Sequence, residues 1–124
     1  MSKNLNILAV DDDLINIKLL KSMLMKNPDV AEVIEARNGA DAISVLKERN
    51  DVDMILLDII MPVMGGLEML QIVSADENLK QLPIIVLTTD ETKKTEALEL
   101  GANGFLMKPV RAADVAEKIA TLAL

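Results

Sequence analysis

Short apolar runs alternate along the chain with longer stretches in which apolar residues recur at helical spacing. Ile7-Leu8-Ala9-Val10, Met54-Ile55-Leu56-Leu57, Ile84-Ile85-Val86-Leu87 and Gly104-Phe105-Leu106-Met107 have the length and continuity of strands covered on both faces. A fifth run, Glu32-Val33-Ile34-Glu35-Ala36, alternates polar with apolar and reads as an edge strand. The pattern predicts strands near 5–10, 32–36, 53–58, 83–88 and 103–107, and helices near 14–26, 39–49, 66–75, 91–100 and 112–122. Leu14, Ile17, Leu20 and Leu24 share one helical face, as do Ala42, Ile43 and Leu46, and later Ala116, Ile119 and Ala120. Five strand-then-helix units predict an α/β fold, a parallel sheet with helices on both faces. Pro28 ends the first helix, Gly39 sits in the turn before the second, and Pro83 opens the fourth strand, where its missing N–H costs little. With no linker and no low-complexity segment, residues 1–124 read as one domain.

The polar residues at the ends of those runs carry the chemistry. Asp11, Asp12 and Asp13 follow the first run, Asp58 the third strand, Thr88 the fourth and Lys108-Pro109 the fifth. In a parallel sheet all of them arrive at the carboxyl edge, where open α/β sheets bind their ligands. Each type has an ordinary role: Asp caps helices, Lys sits at surfaces, and Thr is common in strands. Three adjacent carboxylates behind a buried strand are different, because they repel one another and lose hydration unless a cation compensates. Mg²⁺ suits such a set, with oxygen ligands at about 2.0 to 2.1 Å and several retained waters. The methionines Met23, Met25, Met54, Met61, Met64, Met69 and Met107 read as core filler rather than as a cofactor site.

Composition narrows the chemistry further. The absence of cysteine and histidine removes disulfides, thiolate nucleophiles, the usual zinc sites and hydrolytic triads that use a histidine base. A net charge of −7 argues against direct contact with nucleic acid or an anionic membrane and favours a basic protein partner. Phe105 is the single aromatic residue, too few to stack a flavin or a base. No apolar stretch approaches the roughly 20 residues of a spanning helix and the first residues lack a signal-peptide core, so a cytoplasmic location is expected.

Val10-Asp11-Asp12, Leu57-Asp58-Ile59-Ile60-Met61-Pro62, Val86-Leu87-Thr88, Gly101-Ala102 and Lys108-Pro109 resemble, in order and spacing, the signatures of response regulator receiver domains of two-component signalling. The resemblance spans essentially the whole chain. It implies a flavodoxin-like (βα)5 doubly wound fold with strand order 2-1-3-4-5. It also implies a signalling switch rather than a turnover enzyme. Asp58 would be the phospho-acceptor, taking a phosphoryl group from a histidine kinase or histidine phosphotransfer protein. Asp12, Asp58 and the backbone carbonyl of Ile60 would bind Mg²⁺ directly, with Asp11 acting through a water. Lys108 would neutralise phosphoryl oxygens, and Thr88 and Phe105 would be the switch residues, acting on a downstream protein at the face of helix 4, strand 5 and helix 5. A monomer is expected, with dimerisation on phosphorylation left open, and a cis Lys108-Pro109 bond is expected to aim the lysine.

Two departures from the family pattern stand out. Gly65 replaces the usual Asp at the third helix N-cap, and Ile60 offers no polar group to orient an attacking water, which predicts a long-lived phosphoryl group. Two alternatives remain at this point. Asp11-Asp12-Asp13-Leu14-Ile15 approximates the loop of haloacid-dehalogenase-type phosphatases, although Ile15 breaks that pattern. The chain also fits the receiver module of a larger regulator or hybrid kinase.

Overall fold

A computed structural model describes residues 4–59 and 64–122. The elements are β1 (Leu5–Val10), α1 (Leu14–Met25), β2 (Val30–Ala36), α2 (Gly39–Glu48), β3 (Met54–Asp58), α3 (Gly66–Ala75), β4 (Ile84–Thr88), a 3-10 turn (Glu91–Lys93), α4 (Lys94–Glu99), β5 (Gly104–Met107) and α5 (Ala112–Leu122). All strand pairs are parallel and the order is β2-β1-β3-β4-β5, the doubly wound arrangement expected. β2 starts two residues earlier than its apolar pattern suggests. It is joined at the opposite edge by β5, an apolar strand whose last residue, Met107, is exposed. The predicted fourth helix is divided, because Asp90 caps a 3-10 turn before α4 begins.

The period of two along each strand sends alternate residues to opposite layers. Met54 and Leu56 of β3 join α1 and α5 through Ile17, Leu20, Leu24, Val115 and Ile119. Ile55 and Leu57 face the other way, into α2, α3 and α4 through Ile43, Leu46, Met69, Leu70 and Ala97. Both faces of the central strands are thereby dry, which is why their sequence is continuous rather than alternating.

Several helical faces differ from expectation. Leu14 is exposed at the start of α1, and in α5 the buried residues are Val115 and Ile119, with Ala116 and Ala120 facing out. The cause is angular. Only the residues turned toward a strand are covered, and methyl side chains on the flank carry too little apolar area to draw the helix round. Met54 and Met69 are core residues and Met23 and Met64 pack partly against it. Met25 and Met107 are exposed and are not core filler, and Met61 lies outside the described residues.

Turn chemistry follows local rules. Asp13 caps α1 by accepting from the amides of Ile15 and Asn16, and Asn38 caps α2 by accepting from Asp41. Gly65 at the N-cap of α3 makes no side-chain bond, as its residue type dictates. Gly101 ends α4 at a φ of +116°, a conformation open to glycine.

Candidate functional site

Among the described residues only Asp11, Asp58 and Thr88 are both polar and buried, and all three lie at the carboxyl edge of the sheet. Burial of a polar group is unfavourable unless it is paired, so their placement needs partners or a function. Register explains how they meet. Val10 pairs with Leu57, which sets Asp11 and Asp58 side by side one step beyond. Asp58 pairs with Leu87, and Thr88 with Met107, which brings Lys108 in from the edge strand.

Lys108 holds the group together. Its Nζ donates to Oδ2 of Asp11 at 3.0 Å and lies 3.2 Å from Oδ1 of Asp58. The Lys108–Pro109 bond is cis, as expected. The second oxygen of Asp11 accepts the amide of Asp13 at 2.9 Å, so both oxygens of Asp11 already have donors. Asp12 is exposed and completes a set in which one oxygen each from Asp11, Asp12 and Asp58 lies within 4.8 Å of the others. Asp13 stands apart from this set as a helix cap.

Three carboxylates against one ammonium leave two negative charges uncompensated. At an effective dielectric of about 20, two unit charges about 4 Å apart interact by about 4 kcal/mol, so the imbalance favours cation binding. Burial pushes the Asp58 carboxyl above its ordinary value; Lys108 opposes this, while the charges of Asp11 and Asp12 reinforce it. Burial alone would lower the Lys108 pKa, but the hydrogen bond to Asp11 and the charges of Asp58 and Asp11 outweigh it, and the group stays cationic. The donors are all oxygen, which fits a hard divalent cation such as Mg²⁺.

Thr88 looks into the other layer. Its Oγ1 accepts the amide of Asp90 at 3.1 Å, and its carbonyl accepts the amide of Lys108 at 2.9 Å. Phe105 is half-buried on that same face, packed on the cluster containing Val86 and Ala97. Asp90 is already engaged, accepting from both the amide and the hydroxyl of Thr92. Ile60, the source of the expected carbonyl ligand, lies outside the described residues.

The sequence reading missed the rim of the site. Leu14, Ile15 and Leu19 are exposed on α1. An open cleft of ≈ 690 Å³ runs from Asp11 and Lys108 past Leu19, Met23, Pro109 and Val110. Helical spacing marks which residues share a side of α1, but the cleft depends on where β5 ends and α5 begins.

A five-stranded doubly wound sheet carrying an acidic cluster, a lysine and a buried threonine on its carboxyl edge is the arrangement that the receiver-domain resemblance implies. The model of the response regulator receiver domain matches residues 7–120, and the chain belongs to that family. It is 35% identical over 121 residues to the chemotaxis protein CheY-3 of Vibrio cholerae serotype O1, covering 96% of this chain and 92% of that protein. It is 36% identical to a protein-glutamate methylesterase/protein-glutamine glutaminase of Desulfotalea psychrophila, covering 95% of this chain but 33% of that longer protein. Among solved structures it resembles the receiver domain of sensor histidine kinase PA1611 from Pseudomonas aeruginosa PAO1, which has a magnesium ion coordinated in its active site cleft. That likeness has a TM-score of 0.86 and 26% identity, over 97% of this chain and 98% of that one. Nothing favours a dehalogenase-type phosphatase. The chain is a receiver domain acting in two-component signalling.

Proposed function

We propose that residues 1–124 act as a single receiver unit in which Asp58 accepts a phosphoryl group from a histidine kinase or histidine phosphotransfer protein. The observation that carries this reading is a buried carboxylate at a strand tip with an ammonium 3.2 Å away and two further carboxylates beside it. An Asp58 oxygen attacks phosphorus, an acyl phosphate forms, and the nitrogen–phosphorus bond of the donor imidazole breaks. No histidine base is needed, because the nucleophile is a carboxylate and positioning does most of the work.

Asp12, Asp58 and the Ile60 carbonyl would hold Mg²⁺, with Asp11 acting through a water. The two donors already on Asp11 support that indirect role. Bound Mg²⁺ supplies positive charge against the cluster and the incoming phosphoryl oxygens. Lys108 would add a second positive charge, its ammonium lying 3.2 Å from Asp58. Wild-type protein incubated with acetyl phosphate should gain one phosphoryl mass in Mg²⁺ and none in EDTA. A gain that survives EDTA would remove the metal from the mechanism.

Thr88 would turn from Asp90 toward the phosphoryl oxygens, and Phe105, on the same face, would follow. Output would then pass to a protein partner at α4, β5 and α5, where Leu98 and Met107 already expose apolar surface. Beryllofluoride, a phosphoryl mimic, should shift amide resonances across α4, β5 and α5. Shifts confined to the neighbours of Asp58 would contradict the coupling. The exposed Leu14, Ile15 and Leu19 give the donor protein an apolar landing surface beside the acceptor. The unit works as a monomer in the cytoplasm in this reading, and no described helix is long and apolar enough to cross a membrane.

The phosphoryl lifetime should be long. Ile60 has no group to orient water, and the Asp90 carboxylate, two residues beyond Thr88, already accepts from the amide and hydroxyl of Thr92. Ile60→Asn should shorten the lifetime by a factor on the order of ten, or about 1.4 kcal/mol of barrier. Equal decay rates in excess Mg²⁺ would show that Ile60 does not set the clock.

A further inference from the structure

Two glycines make close backbone contacts with Ile59 and Met64, the described residues on either side of positions 60–63. At one end, the Gly66 amide donates to the carbonyl of Ile59 at 2.7 Å. A Cβ on Gly66 would lie 2.3 Å from the carbonyl oxygen of Asp58 and 2.7 Å from the Cα of Ile59, backbone atoms that cannot swing aside. This contact closes the base of the loop against the acceptor itself.

The other contact comes from a different part of the chain. Gly39 is the buried first residue of α2, and its amide donates to the carbonyl of Met64 at 3.0 Å. That amide is one of the donors a helix start leaves unpaired within the helix, so α2 spends it on the returning limb of the acceptor loop. A Cβ on Gly39 would stand 2.7 Å from Cγ, 2.9 Å from Sδ and 2.9 Å from the carbonyl oxygen of Met64. The φ of Gly39 lies outside the range that favours glycine, since only Gly101 among the described glycines has a positive one. Glycine is required here for proximity and not for conformation. The two contacts also differ in kind: the Met64 side chain can move, whereas its carbonyl can yield only by displacing the loop.

We propose that Gly39 is a positioning residue for Asp58. Its bare Cα lets the N terminus of α2 hold the loop at Met64, while Gly66 holds it at Ile59, so the acceptor strand tip is fixed from both ends of its loop. The inference rests on the reading of Asp58 as acceptor and metal ligand, and it assigns to α2 a part in the site that none of the strand-end residues reveals. In Gly39→Ala the methyl displaces the Met64 carbonyl. The cluster then binds Mg²⁺ less well although none of its ligands has changed.

The test uses Mg²⁺ alone as the probe, with affinity read from amide NMR titration and folding from thermal melts. Gly39→Ala is expected to weaken Mg²⁺ binding about tenfold, as loss of outer-shell support does at other metal sites, and to slow phosphorylation by acetyl phosphate. Met64→Ala keeps the carbonyl and the glycine, and should bind Mg²⁺ like wild type. A merely structural glycine would lower the melting midpoint of Gly39→Ala but leave the affinity of its folded fraction unchanged, and that result overturns the proposal. Wild-type protein supplies a readout independent of variant folding. Saturation with Mg²⁺ should shift the Gly39 amide proton, whose position follows its hydrogen bond to Met64, and a silent Gly39 beside responsive Asp11 and Asp12 also overturns it. Loss of the Asp11 and Asp12 responses themselves would instead sink the underlying assignment of the metal site.

Discussion

Asp58→Asn takes up no phosphoryl group from acetyl phosphate in Mg²⁺, and its intact mass stays that of the unmodified chain. The substitution keeps size and shape and removes the nucleophile, because an amide oxygen carries no full charge with which to attack phosphorus. The other carboxylates cannot stand in. Asp11 has both oxygens engaged, Asp12 is exposed and is assigned to the metal in the proposed reading, and Asp13 caps α1. A mass gain that persists in the variant would overturn the assignment.

The same variant should melt higher than wild type in EDTA, by a few degrees if the gain is about 1 kcal/mol. Its sign follows from the raised pKa of Asp58. The folded state binds this proton more tightly than the unfolded chain does. Ionisation therefore costs stability at every pH above the ordinary carboxylate value, and the cost grows until the pH has passed the raised folded-state value. An amide avoids it. Saturating Mg²⁺ should reverse the ranking, since at ten times its Kd a ligand stabilises wild type by about 1.4 kcal/mol. A variant less stable than wild type in EDTA would show that the Lys108 pairing outweighs burial and repulsion.

Lys108→Met should lower the phosphorylation rate by a factor on the order of 10² to 10³, the usual effect of removing one charged or hydrogen-bonding group aimed at developing transition-state charge. Methionine preserves the unbranched stem, so the loss is that of the ammonium. In wild type the ammonium lies 3.0 Å from Asp11 and 3.2 Å from Asp58. Removing one partner of a fully buried pair costs about 3 to 5 kcal/mol, and the partial exposure of Lys108 reduces this to about 1 to 3 kcal/mol. Stability should therefore fall in EDTA and recover partly in Mg²⁺. Stopped-flow or mass-resolved kinetics provide the rate. A change of less than about threefold would reduce Lys108 to a structural cation, since threefold is only about 0.65 kcal/mol of barrier.

Much of the site was legible from local pattern. Asp58, Thr88 and Lys108 each follow an apolar run, and strands in a parallel sheet end on one edge, so their meeting required only the alternation of strands and helices. The role of the three consecutive aspartates was less accessible. Residue type allows each of them to cap a helix or join a cluster. Register and burial separate Asp11, bound to Lys108, and Asp12, in the cluster, from Asp13, the cap of α1.

Periodicity and residue type determine element order, the two-sided burial of the central strands and the kind of chemistry at their tips, because these depend on neighbours in sequence. Tertiary structure decided which flank of each helix is covered. It left Leu14, Ala116 and Ala120 outside and turned Val115 and Ile119 inward. It also decided that a glycine read as turn punctuation would touch the acceptor loop. Gly39 and Met64 are distant in sequence, and their approach is set by how α2 seats on the sheet. Local pattern constrains what a residue can do, and only the packing of separate elements selects the atoms it does it to.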